Sequence, residues 1–188
     1  MRVGFDLNGV IINNAISKVR VAKRYFGVEL PMQNASLATL NGSLRPEAYE
    51  HLQDIVYGTS EMLNAPPVSH QGVAYLSQIT TKHDSFCVTR IQAAGVQFAQ
   101  QWLRERWLSA DMLISVGPGG DKSRVLQHGF DVYIDDDPKA LAQLEGIVPH
   151  LILLGRPYNE IWRNHAAFTR IDTWPQLDVY LDSLARAM

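Results

Sequence analysis

The chain has 188 residues, and its 17 lysine and arginine residues against 19 aspartate and glutamate residues give a formal net charge of −2. This length suits one compact domain, or one domain that carries a modest insertion. The near-neutral charge argues against binding of a nucleic-acid polymer through net charge. The single cysteine, Cys87, excludes an internal disulfide framework and any multi-cysteine metal site.

The chain contains no run of 18 apolar residues, so we expect no membrane span and no membrane partner. Near the N-terminus, Asp6 follows only a few apolar residues, so we expect no signal peptide there. Together with a hydrophobic share of 46% and a charged share of 19%, this favours a globular protein of the cytoplasm.

Short apolar runs alternate with helical patterns along the chain. The predicted strands, compact and rich in Val, Ile, Leu or Phe, are Val3–Leu7, Ser85–Thr89, Met112–Val116, Val132–Ile134 and Leu151–Leu154. Apolar residues at helical spacing predict helices between and after them, at Val96, Ala99, Leu103 and Trp107, and at Leu177, Leu181 and Leu184. The alternation predicts an α/β fold, a Rossmann-like parallel sheet with helices on both faces.

Residues 13–68 break this alternation, because they are too many for a simple crossover between the first two strands. They predict a helix over Ile16–Phe26 that ends at Gly27, and a second helix from Pro46 to Gly58, before Ser69 caps the helix that leads back to the sheet. We interpret 13–68 as a small helical cap, with residues 1–12 and 69–188 forming the α/β core. An elaborate crossover without a functional role is the alternative.

Polar side chains gather where the predicted strands end. The residues just past the strand ends, or opening the following helix, are Asp6, Asn8, Thr89, Lys122, Asp135 and Asp136. In a doubly wound sheet these carboxyl ends meet at one edge. Carboxylate oxygens suit Mg²⁺, while a lysine and a hydroxyl offset the charge on phosphoryl oxygens.

Four segments of the sequence resemble the motifs of the haloacid dehalogenase-like superfamily. In order along the chain they are Val3–Ile11 (VGFDLNGVI), Phe86–Thr89 (FCVT), Asp121–Ser123 (DKS) and Asp131–Pro138 (DVYIDDDP). The order is that of the family, and the long gap after the first motif is where type I members insert a helical cap. A finer resemblance, to the 5′(3′)-deoxyribonucleotidase-like branch, rests on Ile134–Pro138 (IDDDP) and Leu154–Asn159 (LGRPYN).

The resemblance implies a magnesium-dependent phosphomonoester hydrolase that acts on a small phosphorylated substrate. Asp6 would be the nucleophile that forms an aspartyl-phosphate, and Thr89 and Lys122 would hold the phosphoryl group. Arg90, next to Thr89, is a candidate for substrate binding. Mg²⁺ would be held by the carboxylates of Asp6 and Asp135 and by the Asn8 carbonyl, with Asp136 completing or orienting that shell.

The sequence departs from the family pattern at Asn8. Phosphatases of the superfamily place a second aspartate there as the general acid and base, whereas an amide neither gives nor takes a proton near neutral pH. Four interpretations stay open. The protein has weak or redirected phosphatase activity, another residue in the cap acts as the acid, the protein is degenerate and binds phosphate, another ligand or a partner, or Asn8 is an introduced substitution that traps an intermediate. Dehalogenation would leave Asp135 and Asp136 unexplained.

Two further features have an ordinary and a functional interpretation. Cys87 lies within a predicted buried strand, which favours a packed thiol over a nucleophile. The aromatic residues of the insertion either stack on a base or pack between cap and core; they are Tyr25, Phe26, Tyr49 and Tyr57.

Overall fold

The computed structural model describes residues 1–32, 35 and 42–188. Within them, six strands form one parallel sheet in the order β3-β2-β1-β4-β5-β6. The strands are β1 (Arg2–Phe5), β2 (Asp84–Thr89), β3 (Leu113–Ser115), β4 (Val132–Asp135), β5 (His150–Leu154) and β6 (Thr169–Ile171). The helices are α1 (Asn14–Val21), α2 (Pro46–Gly58), α3 (His70–Lys82), α4 (Ala93–Arg104), α5 (Ser123–Leu126), α6 (Pro138–Ala142) and α7 (Trp174–Ala187).

The α/β architecture and all five predicted strands are confirmed, with shifts of one or two residues at their ends. β6 was not predicted, because Thr169–Ile171 is only three residues long and has a charged residue at its centre. Over the described residues, no helix is long and apolar enough to cross a membrane.

The predicted helix boundaries follow local capping chemistry. α1 continues into a π-helical turn over Ala22–Phe26 and ends at Gly27, whose φ of 66° is the left-handed conformation that favours glycine. α2 has the predicted bounds, with its proline in the first turn. The Ser69 hydroxyl accepts a hydrogen bond from the Gly72 N–H at 3.3 Å and caps α3 as predicted.

The periodicity that placed Trp107 on the same helix as Trp102 was wrong. α4 ends at Arg104, and Trp107 lies beyond it with φ 60° and 94% of its surface exposed. Trp102 is fully buried, and its indole N–H donates to the Ala65 carbonyl at 2.8 Å. The apolar spacing of the sequence extends one turn beyond the end of the helix. The helix ends earlier because the Leu108 N–H donates to the Leu103 carbonyl and the backbone turns away there.

Alternate residues of the central strands enter two cores, one on each face of the sheet. On β4, Val132 and Ile134 join the core that α3, α4 and α7 cover, while Tyr133 joins the core beneath α5 and α6. Cys87 is fully buried in the first core, and burial raises the pKa of its thiol well above the ordinary value. The packed-thiol interpretation therefore agrees with its surroundings.

Between β1 and α3, the helices α1 and α2 and the described segments beside them bury a separate apolar cluster. That cluster consists of Val21, Ala22, Leu30, Leu44, Leu52 and Val56. Part of the predicted cap, residues 33, 34 and 36–41, lies outside the described residues. The division into a core and a cap at 13–68 stays a prediction.

The sheet order places the predicted site at one crevice. β1 pairs with β2 on one side and with β4 on the other. The strand order reverses there, because β2 and β3 extend to one side of β1 and β4 to β6 extend to the other. In parallel α/β sheets, ligands bind outside the carboxyl ends of the strands at such a switch point.

Candidate active site

Asp6 directly follows β1 and lies at the centre of the crevice. Its main-chain N–H donates to the Ile134 carbonyl of the neighbouring strand at 2.8 Å, which fixes the backbone. The Asp6 carboxylate is 7% exposed, and it accepts a hydrogen bond from the Asn8 main-chain N–H at 2.8 Å and one from Lys122 at 2.7 Å. Burial raises the pKa of Asp6 to about 6, against the lowering effect of Lys122. Lys122 and the Asn8 N–H favour the ionised form of this carboxylate.

Lys122 joins the two acidic strand ends. Its buried ammonium group donates to Asp6 Oδ1 at 2.7 Å, Asp135 Oδ2 at 2.9 Å and the Tyr133 hydroxyl at 2.6 Å. All three N–H groups of the ammonium are thus used. Burial lowers the pKa of Lys122, but the two carboxylates outweigh it and the pKa lies above its ordinary value. The sequence did not identify Tyr133, whose place in the middle of an apolar strand predicts only core packing.

Asp135 and Asp136 extend from the end of β4 beside Asp6. Asp135 Oδ1 accepts from the Asp137 main-chain N–H at 3.0 Å, and the Tyr158 hydroxyl donates to the Asp136 carboxylate. The Asn159 amide holds the backbone here, because it donates to the Asp136 carbonyl at 2.8 Å. Burial, and then the charges of Asp135 and Asp6, raise the pKa of Asp136 to about 8.

Gly9 closes the acidic cluster from the side of β1. Its φ is +89°, and a Cβ built there would lie 2.3 Å from Asp136 Oδ2. No side chain fits in that space. The glycine of the first motif is therefore required both by its backbone conformation and by the close approach of Asp136.

Asn8 is held by polar groups on both sides of its amide. The Asn14 Nδ2 group donates to Asn8 Oδ1 at 2.5 Å, and Asn8 Nδ2 donates to Thr89 Oγ1 at 3.4 Å. Thr89 ends β2 and is fully buried. The structure thus brings Asn8 and Thr89 together beside Asp6, and it adds Asn14 from α1, which the sequence did not identify.

Two arginines border the crevice. The Arg90 guanidinium, predicted to bind substrate, lines the cavity but donates to the Gly120 carbonyl at 2.9 Å and to Gln143 at 3.2 Å. Arg156 donates to the Gly9 carbonyl at 2.9 Å, and its buried Nη2 has no hydrogen-bond partner in the described part of the chain. The sequence resemblance includes the Pro-Tyr-Asn motif. The contact of its Tyr158 with Asp136 depends on the position of a loop, which the strand pattern does not predict.

The donor set fits a divalent cation. Carboxylate oxygens of Asp6, Asp135 and Asp136 lie within 4.8 Å of one another, and hard oxygen ligands are those that Mg²⁺ prefers. Repulsion between these acids contributes to the raised pKa of both Asp6 and Asp136. A cation among the three carboxylates would relieve this repulsion.

The crevice opens into a cavity of about 1440 Å³ between the sheet edge and the insertion. Its lining residues include Asp6, Asn8, Lys18, Tyr49, Tyr57, Arg90, Lys122, Asp135, Asp136 and Arg156. Two of the four aromatic residues of the insertion, Tyr49 and Tyr57, therefore face the cavity. Of the other two, Tyr25 is 53% exposed and Phe26 contacts His51 edge to face.

A family model described as 5′ nucleotidase, deoxy (pyrimidine), cytosolic type C protein (NT5C) matches residues 1–187. The chain belongs to this family. The predicted relationship to haloacid dehalogenase-like nucleotidases is thereby confirmed, and the family is one of phosphatases and nucleotidases.

Solved structures show the same fold at low sequence identity. A haloacid dehalogenase-like hydrolase from Streptococcus pneumoniae is 13% identical with a TM-score of 0.69, over 96% of this chain and 97% of that one. A hydrolase of the same superfamily from Deinococcus radiodurans, with bound phosphate and sodium, is 14% identical with a TM-score of 0.69, over 98% and 96% of the two chains. The comparison with curated proteins found no match.

Proposed function

We propose that the protein is a magnesium-dependent phosphomonoester hydrolase of the nucleotidase type, with Asp6 as the nucleophile. The observation that carries this proposal is the buried Asp6 carboxylate, held by Lys122 and the Asn8 N–H and bordered by Asp135 and Asp136. The family description names a cytosolic 5′ nucleotidase for pyrimidine deoxynucleotides, which supports a nucleotide-like substrate and a cytoplasmic location. Residues 13–68 would form the cap over the substrate.

In the first step, an Asp6 oxygen attacks the phosphorus atom, an O–P bond forms, and the ester P–O bond breaks. Lys122 offsets negative charge at Asp6, and the Thr89 hydroxyl donates to a phosphoryl oxygen. Asp135, Asp136 and the Asn8 carbonyl would hold the Mg²⁺ together with Asp6, and its chemistry there is neutralisation of the phosphoryl charge.

Water then attacks the phosphorus of the aspartyl-phosphate. The bond between phosphorus and Asp6 breaks, inorganic phosphate leaves, and the Asp6 carboxylate is restored. The departing alkoxide of the first step takes its proton from solvent, and the attacking water gives its proton to solvent, because Asn8 offers neither an acid nor a base. We therefore expect slow turnover of esters with poor leaving groups.

A second candidate function is ligand binding without turnover, and the fixed amide of Asn8 favours it. Asn14 and Thr89 hold that amide, so the site keeps an ordered shape without the proton-transfer group. Such a protein would bind Mg²⁺ and a phosphorylated ligand and release it unchanged.

Phosphate release by the purified protein separates these functions. The wild-type protein, Asp6→Asn and Asp111→Asn are assayed in the presence of Mg²⁺. The substrates are deoxynucleoside monophosphates and 4-nitrophenyl phosphate. Asp111 is an exposed acid on a short helical turn and does not line the cavity, so it serves as the charge-matched control. We expect turnover by the wild-type protein and Asp111→Asn, and none by Asp6→Asn or after chelation of the metal.

Two results would contradict the proposal. If the wild-type protein has no turnover and Asn8→Asp does, the natural function is ligand binding without turnover. Turnover that survives Asp6→Asn would exclude Asp6 as the nucleophile.

A further inference from the structure

Lys18 extends from the insertion into the cavity that contains Asp6. It lies one helical turn after Asn14 on α1, so both side chains share one face of the helix. Asn14 contacts Asn8, which directs this face toward the crevice. Lys18 lines the cavity and is 4% exposed.

The Lys18 ammonium contacts two tyrosines, Tyr49 and Tyr57. It donates to the Tyr49 hydroxyl at 2.9 Å, and it lies 5.3 Å and 5.6 Å from the ring centroids of Tyr49 and Tyr57. Burial lowers the pKa of Lys18, but Tyr57 and Tyr49 outweigh it and the pKa lies above its ordinary value. The hydrogen bond to Tyr49 and the two cation–π contacts stabilise the ammonium form of Lys18.

Unlike Lys122, Lys18 has no acidic partner in the part of the chain that the structure describes. Among the described residues, no carboxylate lies within 4.0 Å of the Lys18 ammonium, whereas Lys122 contacts two. A buried ammonium without an opposite charge is costly, and cation–π contacts compensate only in part. The wall that holds it also contains Asn14 Oδ1, a buried acceptor without a hydrogen-bond partner in the described chain.

Lys18 comes from α1, whereas Lys122 opens α5 and Asp6 follows β1. Lys122 is 2.7 Å from Asp6, but Lys18 forms no ion pair with it. The transferred group already has a lysine from the core. Lys18 lies on the α1 side of the cavity, and we place the rest of the substrate there.

We propose that Lys18 binds a second anionic group of the substrate, a carboxylate or a further phosphate, while a substrate hydroxyl or amine donates to Asn14 Oδ1. The preferred substrate would then be a phosphomonoester with a second acidic group, and nucleoside monophosphates, which have no such group, would be turned over less efficiently. This inference rests on the proposed function, because it places the phosphoryl group of the substrate at Asp6.

Binding of phosphonates, which cannot be hydrolysed, tests the inference without turnover. Calorimetric titrations in Mg²⁺ compare alkylphosphonates with ω-carboxyalkylphosphonates and alkane bisphosphonates of one to three methylene groups. The proteins are the wild type, Lys18→Met and Lys23→Met. Lys23 is an exposed lysine of the same insertion that is paired with Glu29, so it controls for the loss of one charge.

We expect at least one probe with a second anionic group to bind the wild-type protein and Lys23→Met roughly 10- to 150-fold more tightly than its alkyl counterpart, as a charge-assisted hydrogen bond allows. Lys18→Met should abolish this preference and leave the affinity for alkylphosphonates unchanged. The carboxylate and bisphosphonate arms identify which anion is preferred.

Other outcomes overturn the inference in distinguishable ways. If alkylphosphonates bind but a second anion adds nothing, the inference fails and the phosphoryl site stands. If Lys18→Met weakens the binding of alkylphosphonates as much as the binding of probes with a second anionic group, Lys18 binds the transferred phosphoryl group instead. If no phosphonate binds the wild-type protein, the inference and the proposed function fail together. The preference of the wild-type protein is measured without any variant, so it does not depend on the folding of Lys18→Met.

Discussion

Replacing Asn8 with aspartate should supply the acid and base that the site lacks. The change is nearly isosteric, and the present contacts accommodate it. One carboxyl oxygen keeps the hydrogen bond from Asn14, now 2.5 Å long, and the other faces Thr89 Oγ1, whose hydroxyl can turn to donate. The Asn8 main-chain N–H that holds Asp6 is unchanged by the substitution. The only new element is therefore the ionisable group.

A positioned general acid contributes about 10²–10⁴ to a rate, which corresponds to about 2.7–5.4 kcal/mol of activation free energy. The gain depends on the leaving group, because a basic alkoxide needs a proton and a nitrophenolate leaves without one. In Asn8→Asp we expect this gain for alkyl phosphates and nucleoside monophosphates. For 4-nitrophenyl phosphate we expect less than about tenfold from leaving-group protonation.

The assay is kcat/KM across phosphate esters of graded leaving-group basicity, in saturating Mg²⁺, for the wild-type protein and Asn8→Asp. The wild-type rates should fall steeply as the leaving group becomes more basic, and those of the variant should fall less. Equal gains for all esters, or no gain in a folded variant that still binds Mg²⁺, would refute the assignment of position 8 as the missing acid.

Three further measurements test the metal site, the central lysine and a buried histidine. Mg²⁺ at a hundred times its Kd should raise the unfolding free energy by about 2.7 kcal/mol and the Tm by roughly 5–11 °C, and a shift that persists in Asp135→Asn would contradict the site. Lys122→Met leaves the Asp6 and Asp135 carboxylates unpaired, so metal-free denaturant unfolding should show a loss of about 3–5 kcal/mol that Mg²⁺ partly restores; an unchanged midpoint would refute the ion-pair role. Burial lowers the pKa of His83 from 6.5, so the unfolded chain binds this proton more readily and stability should fall as the pH drops below about 6.5. His83→Asn should remove that part of the pH dependence, and an identical pH profile would refute it.

The sequence was informative where the backbone alone places a side chain. Asp6, Thr89 and Asp135 each stand at the end of a parallel strand, and the topology of the sheet brings such positions to one edge. Lys122 opens α5 and reaches the same edge, where it bonds to Asp6 and Asp135. The predicted strands, and the helix that follows β3, are thus enough to predict that these residues meet.

Residues placed by tertiary packing could not be found in this way. Tyr133 looks like a core residue from its strand, yet its hydroxyl accepts from Lys122 and donates to the Val88 carbonyl at 3.1 Å. Lys18 looks like the exposed charge of an amphipathic helix, yet Tyr49 and Tyr57 bury it. Both contacts join segments whose relative position depends on how the insertion and the two cores pack.

Asn8 also changes the charge of the site, not only its proton transfer. An aspartate there would stand beside Asp6, Asp135 and Asp136, whose mutual repulsion already contributes to raising the pKa of Asp6 and Asp136. The amide avoids a further negative charge and keeps the hydrogen bonds with Asn14 and Thr89. Catalytic sites often hold unfavourable charges at a cost in stability, so the metal-free protein with asparagine should be more stable than Asn8→Asp. We therefore expect asparagine at position 8 to lower the rate for esters with basic leaving groups and to make folding depend less on the bound cation.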